Sequence, residues 1–224
     1  MKSMMKNFII ALSVLFTANV YAGEDTSDAS YYPNGFKMQI ERSTWGLNVA
    51  KDLDIDTNNR YVSFASGLSI NFGYQQNAHL YYGGGIGYRL KSEDFFDDFF
   101  LSIPVYGDIR IYASDQKVVP YMGLKIGYCF NVIGKEDQDF EIYQDDEGGY
   151  YYNTHEYQYK MKGLYIRPEV GVRIKKVGIA IGIPIVEKVR EQIKYNNQRL
   201  STTEHKKTGF DVGVNLIVSY NFCF

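Results

Sequence analysis

Over 224 residues the chain has only two cysteines, one tryptophan and five prolines. Two cysteines, Cys129 and Cys223, are too few for a disulfide-built scaffold. The formal net charge is −2 and the isoelectric point is near 5.9, which leaves no basic field for nucleic acid. Past the N-terminal region, no apolar run approaches the roughly 18 residues that a membrane-spanning helix requires. Tyrosine and glycine are plentiful, at 21 each, with 14 phenylalanines. That mixture suits twisted, aromatic-rich sheet and disfavours helix.

The first 22 residues, MKSMMKNFIIALSVLFTANVYA, set Lys2 and Lys6 before the apolar run Phe8–Val20 and close on Ala22. This order predicts a secretory signal peptide cut after Ala22. Residues 23–34 read as a short N-terminal periplasmic segment and 35–224 as one domain.

Eight segments of that domain alternate apolar and small or polar residues, a period that means strands with one apolar face. They are GFKMQIER, RYVSFASGLSINFGY, HLYYGGGIGYRL, LSIPVYGDIRIY, VPYMGLKIGYCFN, GLYIRPEVGVRI, VGIAIGIPI and the C-terminal GFDVGVNLIVSYNFCF. Short links at 75–77, 114–116 and 175–176 alternate with long polar ones at about 47–59, 91–99, 134–162 and 187–208. An up-and-down meander places all long connections at one end.

A soluble barrel of eight strands would keep its apolar face inside and carry charge outside. Here the second face is mostly small in strands two and seven: Ser63, Ala65, Gly67, Ser69, Asn71 and Gly73, then Gly178, Ala180 and Gly182. The charges on that face are few and of both signs: Lys37, Glu41, Asp108, Arg110, Lys125, Arg167, Glu169, Arg173 and Asp211. Folding strands six and seven about Lys175-Lys176 sets Arg173 opposite Gly178, Glu169 opposite Gly182 and Arg167 opposite Pro184. Such a face fits a narrow lumen, with the apolar stripe turned to lipid. The expected fold is an all-β, eight-stranded antiparallel up-and-down transmembrane β-barrel, closed by pairing of the last strand with the first.

Aromatic girdles are expected at both interfaces. Tyr220, Phe222, Phe224, Phe72 and Tyr74 would mark the short-turn end; Phe64, Tyr88, Tyr128, Phe130 and Phe210 the long-loop end. With these features the chain resembles the small OmpA/OmpX-like outer-membrane barrels of Gram-negative bacteria, the "porin family" β-barrel domains. LSIPVYGDIRIY, PYMGLKIGY and LYIRPEVGVRI carry the likeness. The resemblance implies outer-membrane localisation, long loops at the cell surface and short turns in the periplasm. It also implies that the barrel-assembly machinery reads the terminal aromatic strand (Tyr220, Phe222, Phe224). Some relatives carry a peptidoglycan-binding domain after the barrel; the chain stops with the barrel, so none is expected here.

Little in the chain points to chemistry. Eight strands leave an interior just wide enough for side chains, and buried charges must pair. The lumen set is therefore expected to form an ion-pair plug, with Lys125 diagonal to Asp108 and alternating signs at Arg167 and Glu169. A small-solute channel and a lipid-modifying enzyme are the alternatives. Nucleophilic catalysis needs a base held beside a nucleophile, and the histidines, His79, His155 and His205, read as solvated residues. The run Asp145-Asp146-Glu147-Gly148 lacks the alternating spacing of a calcium loop. No cofactor or metal is expected; outer-membrane lipid, the assembly machinery and an extracellular ligand on the long loops are the expected partners. Loop three is acidic and loop four basic, so the two are expected to attract. Their period of two, in EYQYKMK and EKVREQIKY, predicts a sheet rising beyond the lipid. Cys129 and Cys223 both fall on the lumen face at opposite ends and are expected as free thiols.

Overall fold

A computed structural model describes residues 34–50, 61–92, 99–113, 117–144, 150–195 and 202–223. The signal-like segment, Phe224 and the run 145–149 lie outside them.

Ten strands form one antiparallel sheet: β1 Gly35–Ala50, β2 Tyr61–Gln75, β3 Leu80–Ser92, β4 Phe99–Tyr112, β5 Val118–Ile133, β6 Lys135–Gln144, β7 Tyr150–Ile174, β8 Val177–Gly182, β9 Ile185–Tyr195 and β10 Thr202–Cys223. Two pairs are single staves with one interruption each. β6 continues β5 past Gly134, and β9 continues β8 past Ile183 and Pro184. Eight staves result, each paired to the next in chain order, and β10 returns to pair with β1 from Lys37↔Cys223 to Asn48↔Gly213. The sheet is therefore closed.

Alternation decides which side chains face where. Along β4 every second residue from Phe100 to Tyr112 is buried, while Val105, Ile109 and Ile111 stand out at 42–62% exposure. The exposed large hydrophobics, among them Phe72, Met122, Ile126, Val170, Ile181 and Leu216, are the apolar stripe of every stave. The buried set holds Lys37, Glu41, Asn71, Arg110, Lys125 and Arg167. Apolar side chains outside and charges inside invert a water-soluble barrel. On β7 the outward stripe runs from Leu164 to Ile174, the length a tilted strand needs to cross a bilayer. Among the described belt residues Arg42 alone carries a charge outward; it is half-buried and engaged by a neighbour.

The short links are residues 76–79, 113–117 and 175–176. At the last, Lys175 takes the left-handed conformation, φ 53°. The Asn77 side chain accepts the His79 and Leu80 N–H groups at 2.8 and 2.9 Å. His79 is exposed, as expected, and its Nδ1 also donates to the Tyr112 carbonyl at 3.0 Å, which ties this turn to β4. The side chains of His155 and His205 lie outside the described residues.

The long connections are shorter than the sequence suggests. Most of 134–162 and 187–208 is strand, so β7 reaches 25 residues and β10 reaches 22. β6, β7, β9 and β10 thus continue as sheet above the apolar belt, as the period of two predicts. The ladder crosses one irregularity between Met161 and Tyr165. There Gly163 has φ +119°, and the Glu187 carboxylate accepts the Leu164 N–H at 3.0 Å.

Candidate functional site

Each of the nine charged residues expected on the lumen face is buried, at 5% exposure or less. β1 brings Glu41, β4 brings Asp108 and Arg110, β5 brings Lys125, and β7 brings Arg167 and Glu169; closure points all six at one another. Glu41 is the centre. Its Oε1 accepts from Arg110, its Oε2 from Lys125 and Arg167, both at 2.5 Å, and Ser69 Oγ donates to Oε2 at 3.4 Å. Asp108 accepts from Arg110 at 2.6 Å and lies 3.5 Å from Lys125. Glu169 lies 3.1 Å from Arg167 and 3.5 Å from Arg110. Three acids meet three bases, so the cluster is neutral. Buried ions tolerate desolvation only when paired and hydrogen-bonded in this way.

Lys125 stands directly opposite Asp108 in the β4–β5 register, not diagonal to it. Across the β7–β8 turn Arg173 faces Gly178 and Glu169 faces Gly182, as the folded hairpin predicts. The pairing resumes at Ile166↔Ile185, with Arg167 and Pro184 between. The room for Glu169 is left elsewhere, however. A methyl on Gly123, its partner on β5, would stand 2.8 Å from Glu169 Cγ. A methyl on Gly182 would meet Ile217 instead, at 2.7 Å.

A second cluster sits toward the long-loop end. Asp211 accepts from Arg89 at 2.8 Å and from Lys91 at 2.7 Å. The two cations are absent from the sequence-derived set, although both share the parity of Gly83 and Gly85 on β3 and so were readable. Above them Lys188 Nζ lies over the Phe100 and Tyr159 rings, 5.4 and 5.3 Å from their centroids. Toward the short-turn end Lys37 donates to Gln75 Oε1 at 3.3 Å, and Arg173 stacks 3.9 Å from the Tyr112 ring centroid.

The lumen is also more aromatic than expected. Tyr81, Tyr106, Tyr112, Tyr121 and Tyr165 are all buried. Arg110 lies between the Tyr81 and Tyr121 rings at 5.7 and 5.6 Å, and Lys125 lies 4.8 Å from Tyr106. Tyr106 Oη donates to Asn71 Oδ1 at 2.7 Å. Small residues prevail on β2 and β8, but β3, β4, β5 and β7 supply the rings that fill the bore. Strand alternation sets which side a tyrosine takes; its residue type does not.

The interface aromatics pair on the outer surface. Phe36 meets Tyr74 edge-on at 5.4 Å and Tyr220 meets Phe222 at 4.8 Å near the short turns. Tyr128 meets Phe130 at 4.9 Å toward the long loops.

Above the belt the contact between loops three and four has the opposite sense to the expected one. Lys160 and Lys162 of β7 donate to Glu191 of β9 at 2.7 and 2.9 Å. These hydrogen bonds, Lys160's first, hold the Glu191 carboxyl down at about 2. Arg190, one position away, lies 4.2 Å from the Tyr157 ring. The cysteines are both free: Cys129 is buried in the lumen wall, whereas Cys223 at the stave's end is exposed rather than enclosed. Among the described residues no group of three acidic, histidine or cysteine side chains could hold a metal ion.

No family model matches the chain, and no curated protein does. Among solved structures, the outer membrane protein OprG from Pseudomonas aeruginosa aligns over 86% of this chain and 98% of its own, at 10% identity and a TM-score of 0.37. OmpF of Salmonella typhi, solved in complex with daunomycin, aligns over 84% and 96% at 8% identity and a TM-score of 0.12. The class is therefore carried by the chain's own geometry. A closed antiparallel meander, apolar outside and ion-paired inside, is a transmembrane β-barrel.

Proposed function

We propose that this chain is a non-enzymatic outer-membrane protein of the small OmpA/OmpX-like kind, closed along its axis and working through the sheet and loops above its belt. The observation that carries the reading is the six-charge cluster centred on Glu41. It ties four staves together across the bore, and the tyrosines stacked on its cations take up the space left between them. An interior filled in this way serves as a structural plug, not as a path for solutes. The Nδ1 of His79 donates to a backbone carbonyl, and among the described residues no nucleophile donates to this ring, which supports a role without catalysis.

The projecting β6–β7–β9–β10 sheet is then the surface offered to the outside, rich in tyrosine side chains that give rigid, amphipathic contact area. The apolar belt meets outer-membrane lipid. The closing stripe of β10, with Tyr220, Phe222 and Phe224, is the segment for the assembly machinery to read, and deletion of Phe222–Phe224 should lower the amount of barrel in the outer membrane. Single-channel recording of the purified protein in planar bilayers tests the central point. The expected trace is flat, and a stable, large conductance would overturn the closed-lumen reading.

A further inference from the structure

Between the two charge clusters the lumen holds a small cavity, with about 20 Å³ open to water centres. That is enough for one water or one ion of similar size. Its wall comes from β1, β2, β3, β4, β7, β10 and the β8–β9 junction, and two of its residues are prolines, Pro104 and Pro184. Neither proline has an N–H to give a ladder partner. The β3–β4 pairing indeed lapses between Ile86↔Val105 and Arg89↔Ser102, beside Pro104.

The chemistry of the wall is one-sided. None of the lining residues is acidic, and two are arginines, Arg89 and Arg167. Both are 95% buried. Nη2 of Arg89 is taken by Asp211, and Nη2 of Arg167 by Glu41 and Glu169. Their Nε–H groups are not, for both have no acceptor among the described residues. A buried, charged N–H left without an acceptor is among the costliest groups a fold can carry. Asn215 also lines the cavity, and its amide oxygen has no partner either. Oxygen and nitrogen of an asparagine amide exchange places by a half-turn, which would offer two further N–H donors. Ser69 is already spoken for by Glu41, so with the Asn215 amide turned the open valences of this cavity are donors, two of them on cationic groups.

From this we infer that the cavity is a binding site for a single monovalent anion of halide size, held between the Nε–H groups of Arg89 and Arg167 and completed by the Asn215 amide. A cation would meet two guanidinium groups and no carboxylate there. A larger oxyanion would exceed the space. A water accepts from both arginines as well but carries no charge, whereas a spherical anion accepts from both and brings the negative charge that a wall of two guanidinium groups and no carboxylate favours. The inference stands on the lumen geometry and does not depend on what surrounds the barrel or on its role at the surface.

Crystals of the full barrel grown in detergent with sodium bromide, and measured at the bromine absorption edge, test it directly. The expected result is an anomalous peak in the cavity between Arg89 and Arg167, replaced by an equivalent non-anomalous peak in sodium chloride. The variant Asn215→Asp sets a carboxylate in the same wall and should abolish the peak while the barrel still folds. If that variant does not fold, thermal unfolding of the native protein supplies the second reading. The midpoint should be higher in chloride or bromide than in sodium gluconate at equal ionic strength. Water density alone in the cavity, bromide found only on the outer surface, or equal midpoints in halide and gluconate would each overturn the site.

Discussion

Glu41 on β1 and Lys125 on β5 are 84 positions apart in the chain, yet their side chains meet at 2.5 Å in the middle of the lumen. Neither residue can reach water, so each depends on the other and on the groups around them. Replacing Glu41 by glutamine removes the charge that Arg110, Lys125 and Arg167 share. Breaking a buried pair by removing one partner costs about 3–5 kcal/mol. The lower end is expected here, because Asp108 and Glu169 still face the three cations. Urea unfolding of the refolded barrel in micelles gives the value. The double variant Glu41→Gln with Lys125→Met should recover part of the loss, and strict additivity of the two single changes would contradict a coupled cluster.

Gly123 makes room for Glu169 across the β5–β7 pair. Gly123→Val is expected to destabilise the barrel by about 1–3 kcal/mol, the usual range for overpacking a filled interior. The cost arises because Glu169 is driven off Arg167 and Arg110. Gly107→Val on β4 is the control. It points outward, and the nearest atoms to an added methyl lie 3.9 Å away. Equal unfolding midpoints for the two variants would show that Gly123 leaves no such room.

Glu191 titrates half-buried, above the apolar belt. Its folded value is lowered to about 2 from an ordinary value of 4.5 by the hydrogen bonds of Lys160 and then Lys162. A lowered carboxyl stabilises the fold above the unfolded value and loses that contribution as pH falls from about 4.5 toward 2. The three side chains are partly open to solvent, at 20–34% exposure, and screening holds the effect to at most about 1 kcal/mol. Carbon-13 shifts of the Glu191 carboxyl should follow a low titration in the native protein. In Lys160→Met with Lys162→Met the midpoint should return to the ordinary range. An unchanged midpoint in the double variant would remove the lysines as its cause.

The two thiols should behave differently. Cys223 is exposed and should react with a maleimide in the folded barrel, whereas Cys129, with no exposed surface, should react only after unfolding. The intact mass should not change on reduction. Labelling of both at the same rate, or a shift on reduction, would contradict the placement of Cys129 in the lumen wall.

Much of this molecule is legible in the order of its residues. A period of two over eight segments fixes strands and assigns each side chain a face. The inverted pattern, with Ile, Val and Phe on one side and Gly, Ser and paired charges on the other, decides which face can touch water. The alternation of short and long links orders the staves, and local turn chemistry at Lys175-Lys176 sets the register that puts Glu169 opposite Gly182. These properties follow from bonds along the chain and between neighbours in sequence.

Closure supplied the rest. Only the β1–β10 seam brings Glu41 across from Arg110, Lys125 and Arg167, since contact across a bore depends on barrel radius and strand stagger, which alternation does not encode. The same holds for Gly123, whose value lies in a carboxylate 46 positions away, and for the tyrosines that fill the interior. It holds as well for Arg89 and Arg167, which no local pattern joins and which face one cavity. Sequence period chose the wall for each side chain; the curvature of the closed sheet chose its partners.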